Sequence, residues 1–482
     1  MQLSIFPGLY EYIILLKISG SITNGEDFKL SLSIIILAAG QGKRMNSDKP
    51  KVLNLLAGKP LLTHVCETAT KIEHREIYIV YGCGGEQVRD SLKNFQVTWV
   101  KQEEQLGTGH AVQQVLPSIP KTDDILILYG DVPLINETSL TKLVKAAADT
   151  GFSLLTAYFD EPYGYGRIVR DSSDNIVAII EERDATEEER SICEVNAGFM
   201  VIKSETLNGW INSLNNKNKQ NEYYLTDIVA MAVKDNIKVS PVLAESIIEV
   251  QGINTRAQLS KAERYYQIVQ AYHLMDEGVG IADPSRFDLR GELEIGSDNE
   301  IDVNVVMEGR LKLGNNISIA PNCLIKDTII GDNVKIFANS VIENSIIGND
   351  CRIGPFARIR PDSILDDHVH VGNFVEIKKS SLGKRTKANH LSYIGDAEIG
   401  NDTNIGAGVI TCNYDGANKH KTSIGDNVFV GSDAQLIAPV RIDDGSTIAA
   451  GSTITKNVGS NSLAISRAEQ KSVPSWERPK KK

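Results

Sequence analysis

The chain has 482 residues, 41% hydrophobic and 23% charged, a globular composition long enough for two or three domains. A net charge of −11 and an isoelectric point near 5.4 exclude a general binder of nucleic acid or anionic membrane surfaces, so any phosphate site must be local. Cys66, Cys83, Cys193, Cys323, Cys351 and Cys412 stand far apart without a C-x-x-C pair, which suits free thiols and a cytoplasmic location.

Residues 1–31 contain FPGLYEYIILLKISG, apolar at its centre but interrupted by Glu11 and Lys17 and lacking a basic leader, so an N-terminal extension is expected rather than a signal peptide. No apolar run reaches about eighteen residues, and no membrane insertion is expected. From 32 to 254 the sequence alternates short β-branched runs, SIIIL (33–37), IYIVY (77–81), ILILY (125–129) and SLLTAY (153–158), with helical stretches such as PLLTHVCETATKI and TSLTKLVKAAADT. That alternation predicts an α/β, Rossmann-like domain: a mostly parallel sheet with helices on both faces and ligands beyond the carboxyl ends of its strands.

LAAGQGKR (37–44) occupies such an end, two glycines directly before two cations. It fails as a Walker A loop, which needs Gly at 37 and Ser or Thr after the Lys, and as a dinucleotide fingerprint, which needs Gly at 45. What remains is a loop whose backbone N–H groups can wrap phosphates, followed by Lys43, Arg44 and Lys51.

Residues 255–277 read as a linker helix, capped by Asn254 or Thr255, with Leu259, Ala262, Tyr266, Val269 and His273 on one face and Gly278 past its end. From 278 to 482 aliphatic residues recur every sixth position in successive runs, as at Ile319 and Ile325, then Ile330, Ile336 and Ile342, and again at Ile424, Val430, Leu436, Ile442, Ile448 and Ile454. Gly often follows, as in IGDNVK and IGNDCR. Period six matches a hexapeptide β-helix with one inward aliphatic per short strand. The rhythm is expected to break at 377–398 and 411–423, and such insertions commonly form a binding face. His368, His370 and His420 read as surface residues. Arg358 and Arg360 are expected to face opposite sides of a short strand.

LAAGQGKRM…KPKVL, with QEEQLGTGHA, LYGDVPL, GYGRIV, VNAGF and EYYLTD in that order, resembles the sugar-1-phosphate nucleotidylyltransferases. Joined to GPFARIRP, VGNFVEIKKS, NHLSYIGDAEIG, NIGAGVITCNYDG and FVGSDAQL, the chain resembles, over about residues 32–480, the bacterial bifunctional family combining N-acetylglucosamine-1-phosphate uridylyltransferase with glucosamine-1-phosphate N-acetyltransferase. The resemblance implies a left-handed parallel β-helix, a homotrimer, the small-molecule substrates UTP, acetyl-CoA and glucosamine-1-phosphate, and Mg²⁺ as cofactor. The product would be UDP-N-acetylglucosamine, a precursor of peptidoglycan and lipopolysaccharide.

By the same resemblance Arg44 and Lys51 serve the triphosphate catalytically, and Asp131 and Asn254 hold the metal. Leu37, Ala38, Ala39, Gly40, Gln102, Gly107, Thr108, Tyr129 and Gly130 join them around the nucleotide, with Gly166, Glu181 and Asn196 on the sugar. A carboxylate and a carbonyl oxygen are hard ligands of the kind Mg²⁺ takes. Gln251 stands where the family more often has an acidic residue. For acetyl transfer the implied base is His390, a residue type suited to removing a proton near neutral pH. Arg360, Lys378, Tyr393 and Asn404 would hold the sugar phosphate, and Ala407, Asn413, Tyr414, Ser432, Ala450 and Arg467 the acetyl-CoA. Two rivals are a nucleotidyltransferase whose coil only regulates or oligomerises, and a non-catalytic scaffold. The first does not require Arg360, Lys378, His390 and Tyr393, and the second does not require Arg44, Lys51 and Asp131.

Overall fold

The computed structural model describes residues 31–40, 42–82 and 84–481. The extension read over residues 1–31, apart from Ser31, and the Cys83 thiol lie outside the described residues, as does the Lys43 side chain. The chain forms two compact units divided between Tyr266 and Gln267.

The first unit is built on one mixed sheet. Its strands are β1 (Leu32–Ala38), β2 (Glu76–Tyr81), β3 (Thr98–Lys101), β4 (Asp124–Tyr129), β5 (Phe152–Tyr158), β6 (Arg167–Arg170), β7 (Ile176–Ile180), β8 (Glu194–Lys203) and β9 (Ser240–Leu243). The order is β9-β5-β8-β4-β1-β2-β3, with β6 on β8 and β7 on β6. Pairs β1/β2, β1/β4, β2/β3 and β5/β9 are parallel, whereas β8 runs antiparallel to β4, β5 and β6. The four apolar runs expected as strands are all strands. Their unbroken hydrophobicity has a direct cause: Ile34 and Ile36 of β1 enter one core with helices Leu61–Ala69 and Glu137–Thr150, while Ile35 and Leu37 enter another with Thr108–Val115 and Ser204–Ile211. Covering both faces favours apolar residues along the whole strand, and buried exceptions such as Ser33 and Ser153 are tied by hydroxyl hydrogen bonds to Asp123 and to Leu143 O.

Helix Arg256–Asp276 crosses the division between the units. Thr255 caps it, its Oγ1 accepting from the Gln258 N–H at 3.2 Å, and the Gln258 side chain in turn accepts from the Asn254 N–H at 2.8 Å. At the other end Gly278 takes a φ of +99°, with Gly278 N–H donating to Met275 O and Val279 N–H to Leu274 O, both at 3.0 Å, a Schellman closure. One expectation fails here. His273 is exposed, and the buried positions are Ala262, Tyr265, Gln267, Ala271 and Leu274, because the apolar stripe drifts around a helix this long.

The second unit is a parallel β-solenoid. Strand Val341–Glu343 stacks on Leu324–Lys326 and under Arg358–Ile359, and two further strand columns run beside this one, so each turn has three short strands. The sixth-position aliphatics fill its axis. Ile325, Ile342 and Ile359 are wholly buried, as are Val430, Leu436, Ile442 and Ile448. Each such side chain contributes about 1.5–3 kcal/mol relative to exposure.

The glycine of the IG motif has a specific task. At Gly314, Gly331, Gly400 and Gly425 an added Cβ would enter contact distance of an Asp or Asn oxygen from the following turn. That oxygen accepts a backbone N–H of the preceding turn, as Asp332 Oδ1 does from Asn315 at 2.7 Å and Asp444 Oδ1 from Asp426 at 2.8 Å. Gly therefore leaves room for a side chain that closes its neighbour's corner.

Two expectations are corrected in this unit. The repeat does not break at 377–398: Ile377, Leu382, Ala388 and Ile394 all point inward, and strand Lys387–His390 pairs in register with His370–Asn373 and with Asn404–Ile405. Ala388 is too small to register as a beat. The insertion at 411–423 is real, since Asn401 N–H reaches Asp426 Oδ1 across 25 residues where the equivalent bonds span 17 or 18. Arg358 and Arg360 do not face opposite sides. Ile359 between them points inward, so both point out, Arg358 to Glu343 at 2.6 Å and Arg360 to Glu376 at 2.7 Å.

Candidate functional site

The parallel strands of the first unit deliver their following loops to one edge of the sheet, and antiparallel β8 begins there. Gly42 takes a φ of +63°, and a Cβ on it would lie 2.7 Å from Lys51 Cβ, so this glycine turn admits the lysine beside it. The Lys51 ammonium pairs with Asp131 Oδ2 and donates to Asn254 Oδ1 at 2.9 Å; Arg44 donates to the same Asn254 oxygen at 3.1 Å. Lys51 and Asp131 are largely sheltered from solvent, so salt screens the pair only weakly. Backbone bonds set the frame, Gly130 N–H to Leu37 O at 2.9 Å and Ile253 N–H to Asp131 O at 2.8 Å. Leu37 and Ala38 are buried at the strand end, Ala39 follows, and a Cβ at Gly40 would meet nothing within 4 Å.

The other expected residues flank this knot. Gln102 is buried, its Nε2 donating to Gly107 O at 3.1 Å. Thr108 Oγ1 accepts from the Leu225 N–H at 3.2 Å, and Tyr223 N–H donates to Leu106 O at 2.8 Å, so EYYLTD backs LGTGH. Beyond β5, Asn196 N–H donates to Gly166 O at 2.8 Å, and Asn196 Oδ1 accepts from Gly198 N–H at 2.9 Å. Hairpin β6–β7 returns Glu181 to the same edge, where burial pushes its carboxyl pKa up against the opposing hydrogen bond from Thr226 Oγ1 at 2.9 Å. Burial likewise raises the Tyr129 phenol, beside Phe199.

The edge fits a divalent cation. Two hard oxygens, a carboxylate from Asp131 and an amide carbonyl from Asn254, converge on one positive charge, the Lys51 ammonium, which stands in the kind of seat such an ion takes.

In the solenoid, Lys378 Nζ lies 3.8 Å from Asp396 Oδ2, and Asn413 Nδ2 donates to the same oxygen and, at 3.5 Å, meets the Tyr393 hydroxyl. Arg360 stands one turn before Lys378 in the same column. Sequence reasoning missed Lys419. This residue of the 411–423 insertion faces Lys378, which holds its pKa below the ordinary lysine value. The insertion's expected role as a binding face was the signal that could have found it.

His390 and Asn404 lie on the neighbouring strand column, past the Leu391–Ser392 corner. The Asn373 Oδ1 lies 3.0 Å from His390 Nδ1. In the tautomer in which Nδ1–H donates to that amide oxygen, Nε2 is the nitrogen left to accept a proton. His390 O accepts from Gly408 N–H, Ala407 O from Asp433 N–H, Ser432 O from Gly451 N–H, and Ala450 O from the Arg467 guanidinium. Ala407, Ser432, Ala450 and Arg467 therefore descend one corner in successive turns below His390. Tyr414 is exposed on the insertion and donates to Gly416 O at 2.6 Å, and Asn413 falls with the Lys378 group. His368 is exposed as expected. His370 is instead half-buried, its pKa lowered by that burial and by the charges of Arg352, Lys387 and His390. His420, partly covered, meets Asp415 Oδ2 at 2.6 Å.

A nucleotide-transferring sheet and a hexapeptide-repeat coil on one chain define a two-site transferase, and the comparisons agree. A MobA-like NTP transferase domain matches residues 34–196, the GMPPB C-terminal domain residues 289–382, and bacterial transferase hexapeptide repeats residues 421–456. The chain belongs to the family of the bifunctional protein GlmU: it is 50% identical to that of Acinetobacter baumannii (strain AYE) over 452 residues, 94% of this chain and 99% of that protein. It is thus a bifunctional enzyme of UDP-N-acetylglucosamine synthesis, acetylating glucosamine-1-phosphate with acetyl-CoA and then transferring UMP from UTP with release of pyrophosphate. Family membership also implies a divalent metal ion. Among solved structures, a UDP-glucose pyrophosphorylase complexed with UDP-glucose is 16% identical, with a TM-score of 0.40 over 49% of this chain and 98% of that one. A putative glucose-1-phosphate thymidylyltransferase from Bacillus anthracis is 18% identical, with a TM-score of 0.39 over 48% and 94%.

Proposed function

We propose that the two polar clusters divide the chemistry: the Arg44–Lys51–Asp131–Asn254 knot transfers the nucleotide, and the His390 corner with the Lys378 group transfers the acetyl group. The observation that carries this reading is the convergence of the Asp131 and Asn254 oxygens on the Lys51 ammonium, from three distant stretches of chain. At the sheet edge the backbone of residues 37–40 and the cations Arg44 and Lys51 align the triphosphate, and Gln102, Gly107 and Thr108 read its base. Tyr129 and Gly130 border the nucleotide, while Gly166, Glu181 and Asn196 seat the acetamido sugar. The sugar phosphate oxygen attacks the α-phosphorus, the bond to the β-phosphate oxygen breaks, and Arg44 and Lys51 stabilise the charge gathering on pyrophosphate. Asp131 and Asn254 would hold a divalent ion, Mg²⁺ in this reading, which when bound neutralises phosphate oxygens.

In the solenoid, Arg360, Lys378 and Tyr393, with Lys419 facing Lys378 and Asn404 on the neighbouring column, take the sugar phosphate. His390 Nε2 removes a proton from the attacking amine; the new C–N bond forms as the thioester C–S bond breaks, and the thiolate leaves. Ala407, Ser432, Ala450 and Arg467 guide the acetyl-CoA to it, with Asn413 and Tyr414 near its reactive end. We further propose a homotrimer acting in the cytoplasm to supply cell-wall precursors, a reading supported by the regular outer columns of the coil. No described helix is long and apolar enough to cross a membrane.

Asp131→Ala should abolish UTP-dependent pyrophosphate release while sparing acetyl-CoA consumption, and His390→Ala the reverse. Chelation by EDTA should mimic the first change. Loss of both activities from either substitution in a folded protein would refute the division.

A further inference from the structure

Glu249 lies outside both clusters and is only 2% exposed. One carboxylate oxygen accepts from Asn136 Nδ2. The other accepts from Ser139 Oγ at 2.9 Å and from the backbone N–H groups of Glu245 at 2.7 Å and Ser246 at 3.3 Å. Asn136 is at the same time the N-cap of helix Glu137–Thr150, its Oδ1 accepting from Ser139 N–H at 2.7 Å. Asp131 is five residues before Asn136, and Asn254 five residues after Glu249. The carboxylate is therefore a second tie between the loop carrying the Asp131 oxygen and the loop carrying the Asn254 oxygen, behind the Lys51 bridge and the Ile253 N–H to Asp131 O bond.

We propose that Glu249 is a positioning residue for nucleotidyl transfer, fixing the spacing of Asp131 and Asn254 through Asn136 on one side and its own loop on the other; this rests on the reading of those two residues as the cation-holding pair. A carboxylate suits the position because all four partners are donors, and the N-terminus of a 14-residue helix favours negative charge. Among the described residues no cation forms an ion pair with it. Lys142, on the same helix, pairs with Glu245 at 2.7 Å instead, and Tyr265 of helix Arg256–Asp276 lies close enough to feel the Glu249 charge. Burial outweighs the hydrogen bonds and pushes the Glu249 carboxyl up to about 6. Glu249 is consequently ionised at neutral pH. In mild acid it gains a proton, one oxygen becomes a donor, and the tie loses an acceptor.

Glu249→Gln keeps the shape but brings an NH₂ group against these donors. The expected result is a rise of about tenfold in the Mg²⁺ concentration for half-maximal uridylyl transfer, the lower end of losses seen when outer partners of metal ligands are removed. Mn²⁺ binding, read by electron paramagnetic resonance in the presence of UTP, should weaken by the same factor. The acid limb of the uridylyl-transfer pH profile should flatten, with acetyl transfer by the same sample unchanged. Asn136→Ala, which cuts the tie from the other side, should raise the metal requirement likewise and decides the matter if Glu249→Gln does not fold. Wild-type metal affinity and acid limb in these variants, or a parallel fall of both activities, would overturn the proposal. Asp131→Ala separates the two levels. If it leaves Mn²⁺ binding intact, the cation-holding pair is wrong; if it removes binding while Glu249→Gln is silent, only the tie is wrong.

Discussion

Gly425→Ala tests the physical reading of the IG motif. An added Cβ would fall within contact distance of Asp444 Oδ1 and 2.9 Å from the Asp444 nitrogen, so the carboxylate must swing away from the Asp426 N–H it now accepts at 2.8 Å. Losing a hydrogen bond to a charged acceptor costs about 1.5–3 kcal/mol, the low end applying because Asp444 is exposed. Crowding against backbone adds about 1–3 kcal/mol, and the stiffer unfolded chain returns roughly 0.4–1 kcal/mol. The net loss is about 2–4 kcal/mol, or roughly 5–15 °C in the melting temperature of a unit this long. Calorimetry would resolve this shift, and a double-mutant cycle with Asp444→Ala assigns the side-chain share, since the hydrogen-bond part of the penalty, about 1.5 kcal/mol, should vanish once the side chain is gone while the crowding against the Asp444 nitrogen remains. A neutral or stabilising Gly425→Ala, or a penalty undiminished in the Asp444→Ala background, would refute the reasoning.

Lys51→Met removes the cation shared by Asp131 and Asn254 and should lower the kcat of uridylyl transfer by about 10²–10³, the usual effect of deleting one transition-state donor, with acetyl transfer unaffected; a loss below tenfold would argue against its role. Glu181→Gln should show a pH-dependent stability gain. The folded-state pKa of Glu181 is raised, so the stabilising protonated form is complete only below the unfolded value and is lost as pH rises through the folded one. The variant, neutral throughout, should therefore melt higher than the parent at pH 8, with the gap closing toward pH 4 and the KM for the sugar phosphate raised. A gap independent of pH would contradict this.

The strands of the first unit were legible because a sheet covered on both faces leaves continuous apolar runs, and the solenoid because its axis accepts one aliphatic per strand. Where the beat fell on Ala388, the same rule hid a turn that was present. Arg358 and Arg360 were misjudged although Ile359 between them already fixed their common side. The knot of residues 51, 131 and 254 was not derivable from spacing. It depends on β1 lying beside β4, a pairing that only the folded sheet establishes, and motif resemblance alone brought those residues onto one page. Lys419 carried only the signal of its insertion, and Glu249 carried no local pattern, because its place is set by a helix cap more than a hundred residues away.

The corner bonds at the IG glycines run in one sense, although Asn299 elsewhere in the coil accepts from the later Ile317 N–H. At Gly314, Gly331, Gly400 and Gly425 the Asp or Asn oxygen comes from later in the chain and serves an amide made earlier, so such a turn leaving the ribosome is incomplete until its successor arrives. Growth thus zips forward from the amino-terminal side, and the last turns, with fewer followers to finish them, are where the rod should fray first.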